Sequence, residues 1–367
     1  MKTFIKKTLA ATVAALALSG AAQAQDALKI GLVAPIKTIG GEEFQRGADL
    51  AAEMINEAGG VGGSPIELIA YDDGYEPAQA VSAGRRLFSE DGVKLIVGGY
   101  NSAVAVALLQ VVQQNQGVMI AAPAIHPDIT KYERGFRTNF TLAQNVLALR
   151  QFVDAVDPEA RIAIIAENGD YGRLVSGLLE KEFGDQVVES DLYEIMAQTD
   201  FSSIATRIKE QNPTLVAGVW GATEQGAAMM RAIREAGIDA TLFPMPGNLT
   251  PQLIGLASDT MEGAYSADIW DASLQNDANV AFVEAFKAKF GETPGKLSFL
   301  GYEAVDLMAH AVTVAGSADD TDAIAAALRD GEFETPRGTL DFVDNQATAN
   351  GNRLVEVVNV NGTIQAR

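Results

Sequence analysis

Leu28-Lys-Ile-Gly-Leu-Val-Ala-Pro35 is an apolar run interrupted only by Lys29 and Gly31 and ended by a proline, the pattern of a buried strand. Residues 42–57 follow with helical periodicity, Phe44, Ala48, Ala51, Ala52 and Ile55 recurring on one face until Gly59 and Gly60 stop the helix. The alternation then repeats as strand 66–71, helix 77–90, strand 93–97, helix 103–116 and strand 118–122. Strands parted by helices predict an α/β chain of parallel βαβ units with right-handed crossovers.

The rhythm restarts at Arg161, with strand 161–166, helix 171–183, strand 187–193, helix 201–211, strand 214–219, helix 224–235 and strand 240–244. The two halves share a pattern but no repeated wording. Helical spacing returns at 279–290, 298–315 and 322–329, strands are expected at 337–342 and 354–360, and Asn361-Gly362 is a turn signal. Helices without strand partners of their own must pack on an earlier lobe. The lobes are therefore expected to be discontinuous, with residues 25–142 and 270–344 in the first and residues 143–269 and 345–367 in the second.

Lys2, Lys6 and Lys7, an apolar stretch over residues 9–18 and Ala22-Gln23-Ala24 have the order of a secretory signal peptide, with cleavage expected after Ala24. The stretch is about half the roughly 20 residues needed to cross a bilayer, and later apolar runs are broken by Asp, Glu, Gly or Pro. Removing the signal takes away three lysines and no acid, moving the formal charge from -21 to -24 and the length from 367 to 343 residues. A surface this acidic repels phosphate backbones, which argues against a nucleic-acid partner. The chain has no cysteine, so disulfides, thiolate metal sites and lipid attachment at a cysteine are excluded. These features predict a periplasmic, non-lipidated, monomeric protein without membrane insertion.

Open parallel sheets bind ligands beyond the carboxyl ends of their strands, where N–H groups and helix N-termini face a crevice. That rule selects Tyr100, Asn101 and Ser102 after the third strand and Ala124, Ile125 and His126 after the fourth. In the second half it selects Gly169, Asp170 and Tyr171, then Trp220 with Gly221, then residues 246–248, including Pro246 and Asn248. Ser102 stands where strand becomes helix, so its hydroxyl could hold a ligand oxygen or serve as the helix N-cap. Tyr100, Tyr171 and Trp220 each offer an apolar face and a polar tip, for a ligand or for packing.

Chemistry is poorly represented. There is no Gly-x-Ser-x-Gly elbow and no phosphate loop ending in Gly-Lys-Ser or Gly-Lys-Thr. The glycines of residues 59–63 precede a strand, whereas a dinucleotide loop follows one. His126 and His310 are far apart and no thiol accompanies them, so neither a zinc site nor any other cofactor is expected. Asp72-Asp73 and Asp319-Asp320 lack calcium-loop spacing and are expected to be solvated turns.

Several short stretches, in this order and spacing, resemble the leucine/isoleucine/valine-binding family of periplasmic proteins that serve ABC importers. They are residues 30–35, 58–63, Tyr71-Asp-Asp73 with Pro77, Val97-Gly-Gly99, Pro123-Ala124, Phe136-Arg-Thr138, Asp170-Tyr-Gly172 and Asp200-Phe201. The resemblance implies a type I periplasmic binding protein fold, two Rossmann-like lobes with parallel sheets joined by three crossover strands. It implies a carboxylate grip at Ser102, Ala124 and His126, a covering Tyr171, and Trp220 near a second aromatic contact. It departs at Pro246, which stands where amino-acid binders carry an acid for the ligand's ammonium, so that Glu224 or Asp170 must substitute or the ligand has no ammonium. It departs also at Tyr75 and Asn101, which occupy the family's disulfide positions. The resemblance implies a binding component that hands an amino acid or related small carboxylate to a membrane permease. An amide, a urea-like compound, an aromatic or aliphatic acid, or a sensing role is the alternative.

Overall fold

The structure is a computed structural model that describes residues 26–348, 353–360 and 363–366. The expected signal peptide and the turn at Asn361-Gly362 fall outside these residues. The first half runs β1 (Leu28–Ala34), α1 (Ile39–Glu57), β2 (Ile66–Asp72), α2 (Pro77–Ser89), β3 (Leu95–Gly98), α3 (Ser102–Gln114), β4 (Val118–Ala121) and β5 (Gly135–Arg137). The second runs α4 (Leu142–Val156), β6 (Ile162–Glu167), α5 (Asp170–Phe183), β7 (Val187–Tyr193), α6 (Ser202–Glu210), β8 (Leu215–Val219), α7 (Thr223–Glu235), β9 (Thr241–Pro244), α8 (Pro251–Ala257) and β10 (Tyr265–Asp268). Then come α9 (Asp277–Phe290), α10 (Lys296–Ala315), α11 (Thr321–Asp330), β11 (Phe333–Thr335), β12 (Gly338–Leu340), β13 (Phe342–Val343), β14 (Gln346–Ala347), β15 (Arg353–Val360) and β16 (Thr363–Ala366).

Two main sheets result, as the doubled alternation predicts, beside the antiparallel pair β11-β12. The first has the order β13-β14-β5-β4-β3-β1-β2 and is parallel from β14 through β2. The second is the parallel set β7-β6-β8-β9. The antiparallel set β10-β15-β16 continues its edge, since Gly247 N donates to Ala267 O at 2.9 Å and Ser266 Oγ to Pro244 O at 2.7 Å. β3, β4, β6 and β8 are buried along their lengths and β1 everywhere but Lys29, which is why their sequences are nearly continuous apolar runs.

The chain leaves the first sheet after β5, returns after β10 and leaves again after β14. Phe299, Leu300, Ala304, Val305, Leu307 and Met308 of α10 share one core with Leu28, Ile30, Leu32, Phe44 and Ala48, so the late helices cover the first sheet as their lack of strands required. β14 pairs with β5 through Gln346 and Arg137, which puts residues 346–347 in the first sheet although the sequence assigned everything from 345 to the second lobe. A two-residue strand has too short a pattern to reveal its partner.

Candidate functional site

The cleft lies between the carboxyl ends of the two sheets, and its lining encloses about 670 Å³ of empty space including the mouth. On the first lobe, Gly98 (φ 131°) and Gly99 (φ 63°) turn the chain sharply out of β3, a backbone path that side-chain-bearing residues resist. The N-cap of α3 is Asn101, whose Oδ1 accepts from Val104 N at 2.9 Å. Ser102 is therefore the first helical residue, and its N–H and that of Ala103 have no acceptor within the helix.

The neighbouring loop is held from beneath. Asn139 Nδ2 donates to Pro123 O at 2.5 Å, and Arg137 donates to Ile125 O at 2.9 Å and His126 O at 2.8 Å. Burial pushes the Arg137 guanidinium down to about 10. With those carbonyls drawn back, the N–H groups of Ala124 and Ile125 donate to no described residue. Ser102, Ala124 and Ile125 are all buried and line the cleft, so one wall presents donors without acceptors.

Glu167, Tyr171, Trp220, Gly221, Thr223, Gly247, Asn248 and Thr250 form the facing wall. Glu167, at the end of β6, accepts from Gly221 N at 2.7 Å and so joins the two loops that follow β6 and β8. Burial raises its carboxyl to about 7, opposed by that N–H. Asn248 Nδ2 donates to Trp220 O at 2.9 Å, fixing the loop after β9 to the loop after β8. Tyr171 is half-buried, and burial followed by nearby Glu167 raises its phenol. Lys296, the first residue of α10, reaches the cleft behind Leu297 and Leu300 and pairs with Asp268 at 3.5 Å. Burial lowers Lys296 and raises Asp268, each effect opposed by the partner's charge.

Contacts cross the cleft mouth. Tyr75 Oη donates to Gly221 O at 2.8 Å, and Ile39 N donates to Glu224 Oε1 at 3.1 Å. The Tyr75 and Tyr100 rings meet edge to face with centroids 5.6 Å apart. The lobes are thus closed on each other, and the cavity is enclosed by both.

The structure brings Tyr100, Asn101, Ser102, Ala124, Ile125, Tyr171, Trp220, Pro246 and Asn248 to the cleft. It does not bring His126 or Glu224 there. His126 Nδ1 accepts from Asp128 N at 3.1 Å and caps the turn over Pro127–Lys131, so that nitrogen is engaged with backbone. Glu224 is spent on Ile39 at the mouth, and Asp170 pairs outside with Arg173 at 3.2 Å. Asn101 serves as a cap, and Tyr75 as a strap between lobes. Asp73 is fully buried, accepting from Tyr75 N at 3.0 Å, and is not the solvated turn residue expected. Glu167 and Lys296 escaped the sequence reading. Glu167 is the last residue of an apolar strand followed by a selected loop and was within reach of the strand-end rule, whereas Lys296 comes from a helix some 200 residues after β3.

Among the described residues no helix is long and apolar enough to cross a membrane, and no cluster of metal-ligating side chains occurs. Residues 27–363 match the sequence profile of periplasmic binding proteins. The chain is 30% identical over 339 residues to the leucine-, isoleucine-, valine-, threonine- and alanine-binding protein of Pseudomonas aeruginosa, covering 90% of each. It is also 30% identical to the Leu/Ile/Val-binding protein BraC3 of Rhizobium johnstonii, covering 92% of each. Among solved structures, it resembles a Streptococcus pneumoniae branched-chain amino acid transporter substrate-binding protein in complex with isoleucine, with TM-score 0.82, 21% identity and coverage of 93% of this chain and 99% of that one. A Rhodopseudomonas palustris solute-binding protein in complex with 3,4-dihydroxybenzoic acid gives TM-score 0.82, 24% identity and coverage of 93% and 95%.

Proposed function

From the premise that this chain belongs to the periplasmic binding protein family, we propose that it captures one small carboxylate-bearing solute between its lobes and delivers it to the permease of an ABC importer. The binding step involves no chemistry on the solute. The chain acts in the periplasm after removal of residues 1–24, as a monomer.

The observation that carries this reading is the wall of unused donors. Ser102 Oγ and the N–H groups of Ser102, Ala124 and Ile125 surround one end of a cleft closed by both lobes. Buried donors without acceptors are costly, about 1–3 kcal/mol each, and a ligand carboxylate supplies several acceptors at once. The helix N-terminus of α3 adds a favourable field for a negative group. Tyr171 and Trp220 give apolar cover from the second lobe, so the ligand joins an acid group to an apolar or aromatic body. The relatives' branched-chain amino acids and the dihydroxybenzoic acid of the structural neighbour share that combination.

The test is a thermal-shift and calorimetry screen of amino acids, hydroxy acids, oxo acids, amides and aromatic acids. A ligand at about 100 times its Kd stabilises the folded form by about 2.7 kcal/mol. Ser102→Ala and Tyr171→Ala are expected to weaken the responding ligand about tenfold while leaving the unliganded melting temperature within a few degrees. Absence of any response, or unchanged affinity in both variants, would refute this use of the cleft.

A further inference from the structure

Two charged side chains line the cleft, Glu167 and Lys296, and they are not equally committed. Glu167 has a backbone donor in Gly221 and is tied to the loops it joins. Lys296 is 5% exposed, and its one ionic partner among the described residues is Asp268 at 3.5 Å. Asp268 is itself shared, accepting from Ile269 N at 2.7 Å. An ammonium has three donors. Lys296 also lies against the face of the Phe140 ring, 4.5 Å from Nζ, which accepts no conventional hydrogen bond.

The place of this ammonium is built into the second lobe. Gly247 has φ 84°, and a Cβ on it would lie 1.9 Å from Lys296 Nζ. No residue with a side chain fits there while Lys296 holds its position. The loop after β9 thus presents bare backbone, and a cation carried by α10 fills the space beside it. Close by along the chain from Phe140, Asn145 also lines the cleft, 1% exposed, with Oδ1 lacking any hydrogen-bond partner. Its Nδ2 reaches Thr141 O only at 3.4 Å.

On the reading that the donors around Ser102 hold a carboxylate, we infer that Lys296 makes the cleft selective for acids without an ammonium group, and for hydroxy acids in particular. A hydroxyl accepts from the Lys296 ammonium and still has a proton for an acceptor such as Asn145 Oδ1. An ammonium satisfies Asn145 but faces the buried Lys296, and like charges repel more strongly away from bulk water. Among the described residues the one carboxyl lining the cleft is Glu167, whose Oε2 is held by Gly221 N and whose value, raised by burial to about 7, weakens the charge it can set against that repulsion.

The experiment is calorimetry of the mature protein with matched pairs that differ in hydroxyl against ammonium. The probes are lactate and alanine, 2-hydroxy-4-methylpentanoate and leucine, 3-phenyllactate and phenylalanine, and 4-(hydroxymethyl)benzoate and 4-(aminomethyl)benzoate. At least one hydroxy acid is expected to bind at least about tenfold more tightly than its amino partner, and Lys296→Met to reduce that preference about tenfold. Because Lys296→Met leaves Asp268 buried without its cation, Lys296→Met with Asp268→Asn is measured beside it, and the wild-type preference needs no variant. Tighter binding of the amino members, or a preference unchanged by both variants, overturns the inference while leaving carboxylate capture standing. Silence of all eight probes overturns the inference, and carboxylate capture then stands or falls on the wider screen.

Discussion

Ser102 and Asn101 show how finely a residue's role depends on one position. Either residue type caps helices well, and the sequence left Ser102 as cap or ligand contact. The chain turns one residue earlier, so Asn101 takes the cap and the Ser102 hydroxyl is left at the cleft. Asn101→Ala is accordingly expected to destabilise the protein by about 1 kcal/mol, read as a lower melting temperature. Ser102→Ala should leave stability nearly unchanged and act on affinity, and the reverse pattern would reassign the two. His126 is the opposite case. It is in the selected loop, but loop direction sends its ring to backbone, and no sequence feature distinguishes a histidine pointing in from one pointing out.

Among the elements, α10 has the largest organising part. It packs on α1 through a shared core and brings Lys296 to the cleft. It also anchors the tail, since Arg337 Nε donates to Glu303 Oε1 at 2.8 Å and Arg337 Nη2 to Thr138 O at 2.8 Å, with both charged side chains buried. Removing one partner of such a pair leaves a buried charge and costs about 3–5 kcal/mol, whereas replacing both with apolar residues is close to neutral. Arg337→Met is thus expected to lower the denaturant midpoint sharply, and Arg337→Met with Glu303→Leu to recover most of it. Equal loss in single and double variants would show that shape, not charge pairing, matters there. The helix α4 was missed in the sequence despite a legible capping box, in which Thr141 Oγ1 accepts from Gln144 N at 3.1 Å and Gln144 Oε1 from Thr141 N at 2.8 Å.

At the scale of the whole molecule, closure and acidity come together. The hydrogen bond from Tyr75 Oη to Gly221 O exists only when the lobes meet. A typical net contribution of about 1 kcal/mol makes Tyr75→Phe weaken ligand binding about fivefold by favouring the open form. Small-angle scattering of the unliganded variant should show a larger radius of gyration, and an unchanged radius and Kd would count against the strap. Burial raises the carboxyls of Glu43 to about 8, Asp73 to about 7, Glu167 to about 7 and Asp306 to about 6. The folded chain therefore keeps protons that the unfolded chain releases near its ordinary carboxylate range. Stability is greatest below that range and is lost as pH rises through these raised values. The melting temperature is expected to fall between about pH 5 and pH 8. Glu43, whose carboxylate oxygens accept no hydrogen bond, should contribute much of the slope, so Glu43→Gln should flatten it. A melting temperature that rises over this window would contradict the assignment.

The sequence by itself determined the two parallel α/β sheets, the order of nearly all their elements and the strand-end loops that meet at the cleft. Each of these rests on local information, a period of two or 3.6 residues or a glycine that ends a helix. Eleven of the fourteen residues that the strand-end rule selected line the cleft, because they sit at strand ends and strand ends follow from periodicity. Only the tertiary structure decided which side chains face inward, that β14 joins the first sheet, and that Glu167 and Lys296 supply the charges of the lining. Those outcomes depend on contacts between segments as far apart as Gly247 and α10 or Arg137 and Gln346, and nothing in the local alternation of residues records such encounters.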